Sequence, residues 1–229
     1  MSYFNCVIPV RGNSSEVKNK NFKKVGKYSL IERNILTLKK SNVVKNIIIS
    51  SEDDRFEKIA KKHNILFIKR PKNLSNNYIM PDYAVKHALD IFYKENQYST
   101  YSGFTQCTSP FLKSDDVKRS LKKIISNNFD SLFTSYNCNK FIWRFNPKKN
   151  NMRAINHKKK YRLGRQYIKQ KDVIENGALY IFNTKKFLIK SHRFFGSVGT
   201  FQMPEIRSID INTNNDFKLA NSLIKFISK

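Results

Sequence analysis

Asn5-Cys6-Val7-Ile8-Pro9-Val10 is the first apolar run of the chain, and Arg11-Gly12-Asn13-Ser14-Ser15-Glu16-Val17-Lys18-Asn19-Lys20-Asn21 follows it directly. The fold turns on this junction. A short apolar run ending in a polar loop of small residues reads as a strand buried on both faces, with the loop at its carboxyl end. Four further runs repeat the pattern: Asn46-Ile47-Ile48-Ile49-Ser50, Ile65-Leu66-Phe67-Ile68, Gly103-Phe104-Thr105-Gln106 and Ser131-Leu132-Phe133-Thr134-Ser135. Helical stripes lie between them, carried by Leu30, Ile31, Ile35 and Leu38; by Phe56, Ile59 and Ala60; by Ala84, Val85, Ala88, Leu89 and Phe92; and by Val117, Leu121 and Ile124. Such alternation predicts a mostly parallel sheet with helices on its faces, and ligands of such sheets bind beyond the carboxyl ends of the strands. The loops after Val10, Ser50, Ile68, Gln106 and Ser135 are therefore the candidate site.

Residues 137–175 break the alternation. They are basic, polar and aromatic without a period, and read as an excursion structured by Phe141, Trp143 and Phe145. Alternation resumes with a strand at 178–182, a helix near 185–189, a strand near 200–203 and a last helix over about 214–227, with Phe217, Ala220, Leu223, Ile224 and Ile227 turned inward. The 229 residues suit a single domain spanning 1–229.

Lysine and arginine number 44 against 17 acidic residues, a formal charge of +27. Eighteen phenylalanines and eleven tyrosines against seven glycines and six prolines exclude a disordered chain, because the apolar surface is enough to offset ordering entropy. The charge invites a polyanion partner, concentrated in 140–171, where 12 basic residues stand with no acid. The competing reading leaves most lysines on solvated faces. Three widely spaced cysteines, Cys6, Cys107 and Cys138, form no metal or redox spacing. With no apolar stretch long enough for a leader or a membrane span, the expectation is a cytoplasmic protein without a membrane partner.

The loop after the first strand is neither a Walker A loop nor a dinucleotide fingerprint. It still suits phosphate, since small residues turn backbone N–H groups toward anions while Arg11 and Lys20 supply charge. Arg11, Gly12, Ser14, Lys20 and Asn21 resemble the I-P-A-R-G-G-S-K-G and following K-N signature of the CMP-sialic acid synthetase (acylneuraminate cytidylyltransferase) family. Further likenesses follow in chain order. Ser50-Ser51-Glu52-Asp53 is similar to S-T-D-D; Arg70-Pro71 with Leu74-Ser75 to R-P-x-x-L-A; and Gln106-Cys107-Thr108-Ser109-Pro110 to Q-P-T-S-P. Phe129–Ser135 is similar to Y-D-S-V-F-S-V. Arg165-Gln166 with Glu175-Asn176-Gly177-Ala178-Leu179-Tyr180-Ile181 resembles R-Q followed by E-N-G-A-x-Y-I. Met203-Pro204-Glu205, Ser208–Thr213 and Asp216-Phe217 resemble M-P-E-x-x-S-I-D-I-D-T-x-x-D-F.

The resemblance implies a Rossmann-like three-layer α/β/α fold of the nucleotide-diphospho-sugar transferase type, with 137–175 as a small inserted excursion contributing to the sugar site and to a homodimer interface. It implies attack of a sugar acid's anomeric hydroxyl on the α-phosphate of CTP, with loss of pyrophosphate. By the same likeness Arg11, Gly12, Asn13, Ser14, Lys20, Asn21 and Arg70 bind the nucleotide, Arg70 at the cytosine. Gln106, Arg165, Gln166, Asn176 and Tyr180 bind a nonulosonic acid, Asn176 and Tyr180 being equally readable as a turn residue and a core residue. Asp210 and Asn212 hold Mg2+, and Arg11, Lys20 and Asp210 carry the chemistry. Asn212 stands where the family has a second aspartate, Ser15 and Glu16 replace a lysine and a glycine, and Asn76–Pro81 replaces S-D-T-A-S-S. These departures leave open an active enzyme, one with a different acceptor such as 3-deoxy-manno-octulosonate, or a weakened paralogue. A nucleic-acid-binding protein using 140–171, with Phe141, Trp143, Phe145, Tyr161 and Tyr167 as stacking platforms, is the alternative of a different class.

Overall fold

The structure, a computed structural model, describes residues 2–12, 16–76, 78–167 and 172–227, without the side chain of Arg165. Asn13 and Ser14 of the expected nucleotide loop, the neighbouring Ser15, and the Arg165 side chain expected at the sugar thus lie outside the described residues.

The chain begins with β1 (Phe4–Pro9), a small ribbon of β2 (Lys24–Val25) and β3 (Tyr28–Ser29), then α1 (Leu30–Ser41), β4 (Val44–Ser51), α2 (Arg55–Lys62) and β5 (Leu66–Lys69). It continues through α3 (Pro81–Glu95), β6 (Tyr101–Thr105), α4 (Ser114–Ser126), β7 (Ser131–Asn137) and a hairpin of β8 (Trp143–Asn146) and β9 (Asn151–Ala154). It closes with β10 (Val173–Asn183), α5 (Thr184–Lys190), β11 (Val198–Gln202) and α6 (Asn214–Ile227).

Among the described residues, seven strands form the central sheet in the order β11-β7-β10-β6-β1-β4-β5. All neighbours are parallel except β10, which runs antiparallel to both β6 and β7. The expected mostly parallel α/β sheet is what the chain builds.

Period-two alternation sends side chains to two cores. Phe4, Cys6, Ile8, Ile47, Ile49, Leu179 and Ile181 meet the α1, α2, α4 and α6 layer, while Val7, Ile48, Phe104, Tyr180 and Phe182 meet α3 and α5. These strands read as continuous apolar runs because both faces are covered. β5 departs from that expectation: as the sheet edge it leaves Leu66 exposed and Phe67 and Ile68 only half-buried. Helix starts follow local chemistry. Ser29 and Glu32 form a capping box on α1, and Asn183 caps α5 by accepting from the Lys186 N–H.

The excursion is more regular than its sequence suggests. Residues 143–154 form a hairpin, with Arg144 opposite Arg153 on one side and Phe145 opposite Met152 on the other. Phe141 and Trp143 pack edge-on against the His157 ring, 4.8 and 5.0 Å between centroids. The strand after the excursion also starts earlier than expected, at Val173.

Candidate functional site

The carboxyl ends of β1 and β6 open onto a cleft of about 250 Å3 lined by Pro9, Val10, Arg11, Lys20, Asn21, Pro81, Gln106, Cys107, Thr108, Asp210 and Asn212. Six residues expected at the site thus meet in one place: Arg11, Lys20, Asn21, Gln106, Asp210 and Asn212. Two cross-links bring distant segments together here. The Ile211 N–H donates to the Thr108 carbonyl at 2.8 Å, which hangs Asp210 and Asn212 beside the loop after β6. The Asn21 side-chain amide donates to the Arg11 carbonyl at 3.4 Å, joining the two ends of the loop after β1.

Lys20 is the cation at the centre of these contacts. Its Nζ donates to the Ile211 carbonyl at 2.9 Å and to Asn212 Oδ1 at 3.3 Å. Burial lowers its pKa and the nearby Arg11 charge acts in the same direction, while Asp210, Glu16 and Asp216 pull it back up. Glu16, although exposed, is therefore near enough for its charge to be felt by Lys20. Asn212 uses both ends of its amide, since Nδ2 donates to Asp210 Oδ2 at 2.9 Å while Oδ1 accepts from Lys20.

Asp216 is occupied in a different way. Its Oδ2 accepts from the N–H groups of Asn212 and Thr213 and from the Thr213 hydroxyl at the start of α6. These bonds, the Thr213 N–H first, hold its carboxyl below the usual range against a smaller effect of burial.

Other expected site residues lie elsewhere. Gly12 follows Arg11, but its N–H donates to Glu52 Oε1 at 2.8 Å rather than facing the cleft. Glycine is required there by crowding, because a Cβ would sit 2.3 Å from Asp53 Oδ2 and 2.8 Å from the Asp53 Cβ. Arg70, expected at the cytosine, is 4% exposed and does not line the cleft. Its Nη2 donates to Glu52 Oε2 and to the Val10 carbonyl, both at 2.8 Å, and its Nε to Ser75 at 3.0 Å. The guanidinium therefore ties the loops after β1, β4 and β5 together.

Tyr180 is a core residue, stacked on Phe104 with ring centroids 4.6 Å apart and donating its hydroxyl to Glu175. Asn176 is buried and acts as a turn residue, accepting from the Ala178 N–H at 3.2 Å and donating to Ser208 at 2.9 Å. Gln166 sits exposed on the short turn 165–167, outside the cleft lining.

Sequence reasoning missed Glu52 as the anion that holds Arg70 and Gly12. The signal in Ser50-Ser51-Glu52-Asp53 was only a carboxylate at a strand end, and that a buried Arg70 lies beside it as its partner shows in the structure alone. Pro81, Cys107 and Thr108 were missed as cleft walls for lack of any chemical signature.

The donor set suits a hard cation only in part. Asp210 is exposed at the cleft with Asn212 beside it, and among the described residues no group of three His, Cys, Asp or Glu side chains gathers that would hold a metal ion alone. The Asp210 carboxylate fits Mg2+, which keeps several waters and takes its remaining ligands from substrate phosphates. Asn212, by contrast, turns its amide nitrogen to Asp210 and its oxygen to Lys20, and offers that oxygen beside the carboxylate only with the amide turned over. Among the described residues no helix is long and apolar enough to cross a membrane.

The family described as cytidylyltransferase matches residues 5–198. A pseudaminic acid cytidylyltransferase of Campylobacter jejuni is 28% identical over 96% of this chain and 95% of its own. A CMP-N,N'-diacetyllegionaminic acid synthase of the same species is also 28% identical, over 96% and 94%. Among solved structures, a CMP:2-keto-3-deoxy-manno-octonic acid synthetase complexed with CTP superposes with a TM-score of 0.68 at 12% identity, covering 98% of this chain and 99% of that one.

Proposed function

Since this chain belongs to the cytidylyltransferase family, we propose that it joins CTP to a nonulosonic acid, giving the CMP-linked sugar and pyrophosphate. The observation that carries this reading is the cleft itself, where Arg11, Lys20, Asn21, Gln106, Asp210 and Asn212 converge from segments far apart in sequence. In this reaction the anomeric oxygen forms a bond to the α-phosphorus and the bond to the β-phosphate oxygen breaks, while the hydroxyl proton leaves to water. Such a transfer needs positioning and neutralisation of crowded negative charge more than covalent help.

Arg11 and Lys20 face the triphosphate, and Asn21 donates a hydrogen bond beside them. Gln106, uncharged and half-buried at the end of β6, faces the sugar. Asp210 would hold Mg2+, joined by the Asn212 oxygen once that amide turns over from Lys20, and the ion would supply charge neutralisation on the phosphates. Two relatives of matching length act, by their names, on pseudaminic and diacetyllegionaminic acids, which supports a nonulosonic acceptor. The test is a comparison of kcat/KM for pseudaminic, legionaminic, sialic and 3-deoxy-manno-octulosonic acids at fixed CTP. At least one of the first three should exceed the eight-carbon acid by tenfold or more, and preference for the eight-carbon acid would overturn the acceptor assignment.

Asn212 sets the metal requirement. A carboxylate there would add a charge next to Asp210, worth about 1 kcal/mol at solvent-exposed distances. Asn212→Asp should therefore lower the Mg2+ concentration for half-maximal activity roughly fivefold. An unchanged or higher requirement would place the metal elsewhere.

The exposed apolar side of the hairpin supports a homodimer. Trp143 and Phe145 alternate on one side of β8, and Phe145 and Met152 are half-exposed or more. A second copy would cover this face. Light scattering at micromolar protein should give a dimer for the native chain and a monomer for Phe145→Lys, and a native monomer would contradict the assignment.

A further inference from the structure

Outside the cleft the chain buries a second set of charges that the chemistry above does not use. Asp82, second residue of α3, has a side chain only 2% exposed, and Arg193, in the connection after α5, one 13% exposed. Their contact is two-pronged, with Arg193 Nε at 3.1 and 3.2 Å from the two carboxylate oxygens and Nη2 at 2.6 Å from Oδ2. The guanidinium carbon also lies 4.4 Å from the Tyr180 ring centroid and 4.6 Å from that of Phe104. Tyr180 in turn donates to Glu175. Asp82, Arg193, Tyr180 and Glu175 thus form one continuous chain of contacts from α3 through the connection after α5 to β10, with Phe104 of β6 alongside.

That chain spans an irregular stretch of β10. Glu175 pairs with Ser135 and Tyr180 with Phe133, so five steps along β10 face two along β7 and the intervening residues bulge out. At the crest is Gly177, with φ +71, where a Cβ would fall 2.5 Å from Gln106 Oε1. The bulge therefore lies directly against the Gln106 side chain. Both its ends are held by the Glu175–Tyr180 hydrogen bond, and Tyr180 is held by Arg193. At the other end of the chain of contacts, Asp82 follows Pro81, which lines the cleft, and Phe104 on β6 stands two residues before Gln106, which follows the strand.

We propose that Arg193 is a positioning residue for the acceptor side of the cleft, using the Asp82–Arg193–Tyr180–Glu175 clamp to fix the β10 bulge beneath Gln106. This rests on the reading of Gln106 as facing the sugar. A buried ion pair is a poor source of stability, since well-packed apolar residues often replace it without loss. Its value here is directional: a planar guanidinium gripped at two points and held within 4.6 Å of two ring centroids is restricted in orientation in a way that a packed aliphatic chain is not.

The experiment compares the native chain with the double variant Asp82→Leu/Arg193→Met, which removes both charges together, and with Arg193→Lys, which keeps the charge but loses the planar fork. Two readouts are taken: amide hydrogen exchange over 175–180, which needs no substrate, and KM for the acceptor acid and for CTP separately. The double variant should melt within a few degrees of the native chain. Its exchange over 175–180 should be at least tenfold faster, KM for the acid at least tenfold higher, and KM for CTP within twofold. Arg193→Lys should fall between. Native exchange together with native acceptor KM in the double variant overturns the proposal, as does an equal rise in both KM values. Should the double variant fail to fold, native exchange and acceptor KM in Arg193→Lys overturn it equally. Faster exchange in a protein whose native form accepts no acid supports the clamp and overturns the acceptor reading on which its role depends.

Discussion

Lys20→Met is expected to lower kcat/KM roughly 100- to 1000-fold, the loss typical of removing one preorganised donor from a site where negative charge develops. The size follows from where the ammonium sits. It is half-buried, anchored by the Ile211 carbonyl and Asn212, and flanked by Arg11 and Asp210 in the same cleft. A charge held in place by the protein spends no reorganisation when the phosphates arrive, whereas a mobile surface lysine would. Lys20→Arg should recover little, because a guanidinium is larger, forked and differently hydrated, and the two carbonyl oxygens around Nζ are arranged for a compact ammonium. Steady-state kinetics beside a melting curve separates the two roles proposed for Lys20. A folded Lys20→Met protein with native kcat/KM would remove Lys20 from the chemistry and leave it as a tie between the β1 loop and residues 211–212.

The second large effect is on stability. Arg70→Met should cost about 3 kcal/mol, the lower end for breaking a buried ion pair, because Glu52 keeps 20% of its side chain in water. For a chain of 229 residues this corresponds to a fall in Tm of roughly 6–12 °C. The loss has two parts. The Val10 carbonyl and Ser75 each lose a donor, and the Glu52 carboxylate loses its cation while still accepting the Gly12 N–H.

The pair also gives a pH signature. Burial pushes the Glu52 carboxyl up, but the Arg70 guanidinium and the Gly12 N–H outweigh it and hold it below the usual range. A carboxylate with a depressed folded-state pKa contributes stability that is complete above its unfolded value and is lost as pH falls through the folded one. The gap in Tm between native and Arg70→Met should therefore be full at neutral pH and narrow in acid, below about pH 4. An Arg70→Met protein with native Tm and altered CTP binding would return Arg70 to the cytosine.

What the sequence revealed, and what it hid, divides along physical lines. Strands such as 46–50 and helices such as 30–41 were legible because burial on two faces or one face writes its period directly into the residue types. The edge position of β5 was not legible, since Ile65–Ile68 has the same composition as a central strand and only the sheet order leaves it uncovered. The cleft residues Arg11, Lys20, Asn21, Gln106 and Asp210 could be named because each lies in a motif next to a strand end.

Arg70 shows the limit of that reasoning. Its motif gave its neighbourhood but not its direction, and the half-buried Glu52 decides the direction. The β10 bulge was hidden as well. Glu175-Asn176-Gly177-Ala178 carries a glycine that hints at irregularity, but the register shift depends on pairing with β7, a segment forty residues away in the chain. Arg193 stood in no motif at all, and only the structure pairs it with Asp82. The basic stretch 140–171 became partly intelligible once its hairpin was seen to have an arginine side and an apolar side.

Every role proposed above depends on this cleft transferring a cytidylyl group to a sugar acid. The most direct measurement is pyrophosphate release from CTP and Mg2+ by the purified chain, with and without each of pseudaminic, legionaminic and sialic acids. Release is expected only when one of these acids is present, with Lys20→Met reduced at least 100-fold. No release with any of the three, or release independent of the acid, would contradict it.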